Sequence, residues 1–221
     1  MNDRVIALIP AFNEAHSIAD VVTKARPHVE KVVVIDDGSI DQTAQVAKAA
    51  GATVLRHVIN RGKGAAIVTG LSFFGESSAE FAALLDADGQ HDPAEIPKFV
   101  EAARQTGAAI VVGTRMADTR GMPLARLLTN RFTSWVTGKL ARQRIPDSQC
   151  GYRLLRRDVL KDLQFSTARF ETETEMLIQA GCAGHKIANV PIRTIYQEGR
   201  ASRIRPLCDT VRFFKLVGKY W

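Results

Sequence analysis

Three cysteines in 221 residues, Cys150, Cys182 and Cys208, are odd in number and far apart, and none stands in a C-x-x-C pair. That excludes a disulfide framework and gives no zinc-ligand spacing, so buried thiols are expected. Long apolar runs are missing too. No stretch approaches the roughly 20 apolar residues that span a bilayer, which excludes an integral membrane segment. The opening MNDRVIALIPAFNEA sets Asp3 and Glu14 around a short apolar run with no small-residue cleavage site, so no secretory leader is expected and the expected compartment is the cytoplasm. Fixed-period repeats and low-complexity tracts are likewise missing. With 46% hydrophobic and 24% charged residues, the composition is that of an ordinary globular protein, large enough for one substantial core.

Charge is present in excess and unevenly. The chain carries a net +7, yet residues 115–144 alone carry +6 and residues 200–221 carry +5, which leaves the remainder at −4. Localised basicity of this kind fits a nucleic acid, an anionic membrane surface or phosphorylated substrates, and equally the solvated faces of helices.

The first half of the chain alternates strand and helix. Strands are predicted at Val5 to Pro10, Lys31 to Asp37, 52–57, 80–88 and 108–115, with helices at about 17–26, between Ser39 and Gly51, at 65–73 and from Pro93 to about Gln105. Ser39 with Gln42 resembles a capping box, and Asp92-Pro93 supplies an N-cap with proline at the first helical position. Such alternation predicts a mainly parallel central sheet with helices on both faces, whose ligands lie beyond the carboxyl ends of its strands. From Leu124 to Leu140 apolar residues recur at threes and fours, which predicts an amphipathic helix. Lys186 to Tyr196 suggests one further strand, and residues 206–221 a basic closing helix. The expected organisation is a single domain over 1–221, with basic amphipathic segments at about 123–142 and 205–221.

The sequence ALLDADGQH ends an apolar run on two carboxylates. On a strand, side chains at i and i+2 share one side at roughly 7 Å, so Asp86 and Asp88 can converge on one object. A hard divalent cation, Mg²⁺ or Mn²⁺, neutralises such a pair and bridges to substrate phosphates, and Gln90 can add a carbonyl oxygen. A bare D-x-D would equally cap the next turn. However, IPAFNE, VIDDGSIDQT and NRGKGAA follow the first three predicted strands, and these clusters gather with Asp86 and Asp88 at one rim.

These segments, in order over nearly the whole chain, resemble the signatures of family 2 inverting glycosyltransferases of the GT-A fold. The GTR at Gly113 to Arg115, the Asn130-Arg131 pair and DSQCGYR from Asp147 to Arg153 are similar to the dolichyl-phosphate mannose synthase and polyprenyl-phosphate sugar transferase branch. The resemblance implies a nucleotide-binding sandwich and transfer of one sugar from a nucleotide-diphosphate-sugar of the GDP-mannose or UDP-glucose type. Pro10, Phe12, Glu14, Ile35 and Asp37 would hold the base and ribose, while Asp86, Ala87, Asp88 and Gln90 would organise the metal and the diphosphate-sugar. Phe12 could equally be a core aromatic, and Asp37-Gly38-Ser39 is a turn sequence in its own right. RGKGAA lacks P-loop spacing, so Lys63 is no Walker lysine and is placed with the donor-binding residues on a glycine-shaped turn. The Q-x-x-R-W signature of processive synthases is missing, which favours one sugar per acceptor.

Arg115 and Arg131 are the expected phosphate contacts. A hydroxyl acceptor would require a general base, for which Asp147 or Glu171 is available; a lipid phosphate is already ionised. The acceptor expected is a polyprenyl phosphate, met peripherally at an anionic membrane surface, with Arg200 and Arg203 closing over donor or lipid phosphate. Two alternatives stand beside this: a soluble transferase acting on a hydroxyl, and a basic nucleotide or nucleic-acid binding module. No recognised nucleic-acid motif is present, so nucleic acid is not the expected partner.

Overall fold

The computed structural model describes residues 4–116, 122, 124–193 and 206–221. Strands β1 (Val5–Ala11), β2 (Lys31–Asp36), β3 (Thr53–Arg56), β4 (Phe81–Leu84) and β5 (Ile110–Thr114) alternate with helices α1 (Ile18–Ala25), α2 (Thr43–Ala49), α3 (Lys63–Glu76) and α4 (Ile96–Thr106). There follow α5 (Leu124–Leu140), β6 (Arg153–Arg156), α6 (Glu171–Cys182), β7 (Ile187–Pro191) and α7 (Pro206–Tyr220). The seven strands form one sheet in the order β3-β2-β1-β4-β6-β5-β7. β6 runs antiparallel to both neighbours, and the other pairs are parallel.

β1 and β2 are buried along almost their whole length. Both faces of the sheet are therefore covered, which is why these strands read as continuous apolar runs. α3 packs on β1 and β2 with α6 beside it, while α4 packs on β5, β6 and β7. Chain order reverses between β1 and β4, and a ligand crevice is expected beyond the carboxyl ends of those two strands. Among the described residues no helix is long and apolar enough to cross a membrane.

Two expectations are corrected, and two elements are added. β4 stops at Leu84, so Asp86 and Asp88 stand beyond the strand; the Asp88 carboxylate accepts from Gln90 N at 3.0 Å, and Gly89 turns the chain at φ +73°. Ser39 does not cap α2: its Oγ accepts from Asn13 N, and Asp41 Oδ1 accepts from Thr43 N instead. β6 and α6 were not expected. Nine of the twelve residues of α6 are buried, including Glu173 and Glu175, so it lacks the polar stripe by which a surface helix announces itself. Asp92 caps by accepting from Ala94 N, but what it caps is a 3₁₀ turn at Pro93–Glu95 that leads into α4 at Ile96, and Gly107 ends α4 in the left-handed region at φ +69°.

Candidate active site at the carboxyl rim

The loops after β1 and β2 are stitched together. Asn13, held at φ +52°, donates its N–H to Ser39 Oγ at 2.9 Å, and its Oδ1 accepts from Ile40 N at 3.0 Å. Pro10 and Phe12 are half-buried beside this seam, while Glu14 is buried with its N–H bonded to Thr43 Oγ1. Ser17 Oγ lies 2.9 Å from Glu14 Oε2 and 2.8 Å from the carbonyl of Ala87, which joins the β1 loop to the Asp-Ala-Asp turn. Ile35 has no exposed surface, so its side chain belongs to the core.

Asp37 is a clamp. Its Oδ1 accepts from Arg61 N at 2.9 Å and meets His57 Nδ1 at 2.7 Å, while Oδ2 accepts from Gly62 N at 2.8 Å. Both oxygens are thus engaged by the chain itself and the residue is buried, an arrangement that fixes the 57–62 loop and the start of α3. Gly38 is obligatory beside it, because a Cβ there would lie 2.5 Å from the Ile59 carbonyl carbon and the backbone sits at φ +73°.

That clamp delivers Lys63 to the acidic turn. Lys63 Nζ lies 2.6 Å from Asp86 Oδ1 and 3.2 Å from Glu173 Oε2, with its side chain 22% exposed. Burial alone would lower the lysine pKa, but the two carboxylates outweigh it and the net shift is upward. Burial likewise pushes Asp86 up, while Lys63 and His91 pull it well below the ordinary carboxylate range. Asp86 N donates to His91 Nδ1 at 3.3 Å, and burial, opposed by Asp86 and Asp88, lowers the pKa of this imidazole below its usual value. His91 stacks on Tyr152, which stacks on Phe99 and donates to the carbonyl of Asp92. Behind the carboxylate, a Cβ at Gly151 would lie 2.8 Å from Asp86 Oδ2, so a larger residue there would displace the carboxylate from Lys63.

A second network holds Arg115. Asp147, with no exposed surface, accepts from Arg115 N at 3.1 Å, Nε at 2.9 Å and Nη2 at 2.9 Å, and from Asn130 Nδ2 at 2.8 Å. A carboxylate with four donors and no solvent is poorly placed to take a proton from a substrate; the geometry makes Asp147 a positioning residue, which removes it as one of the two bases available for a hydroxyl acceptor. Ser134 Oγ, on the buried face of α5, donates to Asn130 Oδ1 and accepts from Ser148 N, which closes the ring. Arg153 is also fully buried. It donates to the carbonyls of Ser148, Cys150 and Glu173, bracing the 147–151 loop against α6. Arg131, the next residue along α5, is exposed. Arg200 and Arg203 lie outside the described residues.

Sequence reasoning missed Glu173, His91, Asn130 and Gly151 as site components. The alternating ETETE of residues 171–175 was the available signal for the first, and the Asn130-Arg131 pair for the third. Among the described residues no three His, Cys, Asp or Glu side chains are grouped closely enough to hold a metal by themselves. Asp86, Asp88 and Gln90 supply the hard oxygen donors of this turn, of the kind that Mg²⁺ or Mn²⁺ takes one or two at a time when substrate phosphates complete the shell.

The model of the family described as "Glycosyl transferase family 2" matches residues 6–164. The chain is 34% identical over 227 residues to the UDP-N-acetylglucosamine–dolichyl-phosphate N-acetylglucosaminyltransferase of Methanococcus voltae, covering 92% of this chain and 90% of that one. It is 29% identical to the polyprenol monophosphomannose synthase of Mycolicibacterium smegmatis, covering 91% and 81%. Glucosyl-3-phosphoglycerate synthase from Mycobacterium tuberculosis, crystallised with Mn²⁺ and UDP-glucose, superposes with a TM-score of 0.71 at 23% identity over 96% of this chain and 76% of that one. With a seven-stranded sheet, an acidic turn at its point of strand reversal and a family match over most of its length, this chain belongs to glycosyl transferase family 2 and has the GT-A fold.

Proposed function

We propose that this glycosyltransferase moves one sugar, with inversion, from a nucleotide-diphosphate-sugar to a polyprenyl phosphate at a membrane surface. The observation that carries the reading is the double role of α5. Its buried face supplies Asn130 and Ser134 to the ring that aims Arg115. Its other face exposes Leu124, Leu128, Phe132 and Trp135, and the Phe132 ring lies 6.4 Å from Phe214 of α7; Val211, Phe214 and the following Trp221 are exposed too, as are Arg131, Lys139 and Lys215 of the same two helices. One helix therefore joins a phosphate-directed arginine to an apolar, basic surface suited to anionic lipid. The relatives named for dolichyl-phosphate and polyprenol substrates support the same acceptor class.

The loops after β1 and β2 receive the nucleoside, with Pro10 and Phe12 as its apolar wall and Glu14 as a hydroxyl acceptor. Asp37 holds that pocket's floor rather than touching the donor. Asp86, Asp88 and Gln90 would hold Mg²⁺ or Mn²⁺, which supplies charge stabilisation to the departing diphosphate. Arg115, fixed by Asp147, faces the same developing charge and requires no reorganisation as it grows. An acceptor phosphate is ionised at neutral pH and attacks without a base, which agrees with Asp147 having no proton-accepting capacity left.

The test is turnover of UDP- and GDP-sugars with Mn²⁺ against three acceptors: a short-chain polyprenyl phosphate, the corresponding polyprenol and 3-phosphoglycerate. Product on the polyprenyl phosphate alone is expected. Turnover confined to a hydroxyl acceptor would overturn the reading.

A further inference from the structure

Lys63 opens α3 on a backbone that has no room to shift. A Cβ at Gly62 would lie 2.6 Å from the Ala168 oxygen, one at Gly64 would lie 2.5 Å from the Ala168 carbonyl carbon, and Ala65 N donates to Ala168 O at 3.0 Å. The ammonium can therefore move only by its own side-chain torsions. Two carboxylates are within its reach. Asp86 has it now at 2.6 Å; Glu173 has it at 3.2 Å through Oε2, while Glu173 Oε1 is buried with no hydrogen-bond partner among the described residues. A buried acceptor of that kind is costly unless something comes to satisfy it.

We propose that Lys63 is the resident cation of the acidic turn: it neutralises Asp86 while no divalent ion is present and passes to Glu173 when the ion arrives with a diphosphate. The proposal rests on the transferase reading and adds to it an order of events. An ammonium at hydrogen-bond distance from Asp86 occupies the charge that a divalent ion requires, and two cations within about 4 Å repel by several kcal/mol even at the effective dielectric of a protein surface. The ion alone must displace Lys63 and binds poorly. With a diphosphate present, the added negative charge offsets the repulsion, and Glu173 receives the released ammonium. Lys63 thereby makes metal affinity conditional on the donor, and keeps two carboxylates from repelling one another in its absence.

Mn²⁺ binding measured by the electron paramagnetic resonance signal of the free ion tests this without turnover. Titrations are made without nucleotide, then with UDP and with GDP. In Lys63→Met, Mn²⁺ alone is expected to bind about tenfold or more tightly than in the parent chain, and the extra affinity conferred by the diphosphate to shrink in proportion. Lys63→Gln keeps a hydrogen bond to Asp86 without the charge and is expected to behave like Lys63→Met, which guards against a variant that fails to fold. Lys63→Arg keeps the charge and is expected to bind Mn²⁺ alone as the parent does. A lysine that only grips donor phosphate, or only braces α3, would leave Mn²⁺-alone affinity unchanged or weakened in the uncharged variants, and that result overturns the resident-cation assignment. Should the parent chain bind no Mn²⁺ with either diphosphate, the metal-dependent reading itself fails, a different and separable outcome.

Discussion

At the carboxyl rim the polar side chains are held by other parts of the chain: Asp37 by the 57–62 loop, Asp147 by Arg115 and Asn130, Asp86 by Lys63. On the α5 and α7 face the large side chains have no such hold, with Phe132 48%, Trp135 58% and Trp221 86% exposed. The backbone of the rim and the Asp37 and Asp147 networks have their geometry set by the chain itself, as charge stabilisation demands, since small misplacements there are costly. The face has amphipathicity without a shaped pocket, which suits an interface that is fluid and has no fixed shape. On the function proposed above, a sugar donor and a lipid bilayer would make these two opposite demands, and the 17 residues of α5 would meet both, one on each side of the helix.

The sharpest way to break the rim is at Asp88. Asp88→Asn is expected to lower kcat by roughly 10²–10³-fold, the usual scale for removing one preorganised electrostatic contact. The melting temperature should hardly move, because the bond from Gln90 N can be kept by the amide oxygen. A variant with near-parental kcat would remove the acidic turn from the chemistry.

Asp147→Asn tests whether the rim is rigid by ion pairing. It leaves Arg115, only 11% exposed, without its carboxylate, and the expected loss is about 3 kcal/mol in denaturant unfolding. The pH dependence has a definite sign. Burial raises the Asp147 pKa, but the bonds from Arg115 outweigh it and the folded value lies below the ordinary one. The stabilisation is therefore fully present above the unfolded carboxylate pKa of about 3.9, and is lost as pH falls through the depressed folded value. Asp147→Asn should flatten that acid limb, which urea midpoints measured from pH 6 down to pH 3 will show.

On the opposite face, Phe132→Ser with Trp135→Ser should weaken binding to vesicles containing anionic lipid by about tenfold or more, since burying one large apolar side chain contributes about 1.5–3 kcal/mol. Folding stability should change by less than about 0.5 kcal/mol per site, as at other exposed positions. Equal vesicle binding by parent and variant would separate α5 from the membrane.

The two regions were not equally legible in the sequence. The rim was readable because β1 and β2 are short continuous apolar runs and the functional residues follow each strand within a few positions. Contacts made across long separations were not. Asp147 stood out as a carboxylate, but no spacing shows that Arg115 and Asn130 occupy it, nor that Glu173 shares Lys63 with Asp86. β6 is four residues with arginine at each end, too short to show a period of two. Its first arginine has no exposed surface and is satisfied by three backbone carbonyls, so a residue type that normally marks the surface here marks the core. The exposed stripe of α5 was legible as amphipathicity, yet the sequence could not tell which polar residues of that helix turn inward; Asn130, Ser134 and Thr137 are buried, so the inner face is partly polar.

The smallest expected effect is the one that separates the two regions' chemistry. With Asp147 saturated, Glu171 at the start of α6 is the remaining base considered for a hydroxyl acceptor, and its Oε2 is buried with no hydrogen-bond partner among the described residues. Glu171→Gln keeps the shape and removes the basicity. If the acceptor is a phosphate, kcat on polyprenyl phosphate should stay within about twofold of the parent, because a phosphate monoester carries ionised oxygen at neutral pH and can attack without a protein base. If the acceptor is a hydroxyl, the loss of a general base should cost about 10²–10⁴-fold. A collapse of turnover, measured on whichever acceptor is productive, would transfer the demand for chemistry from the charged surface of α5 to the first turn of α6, and the lipid-phosphate reading would have to be given up.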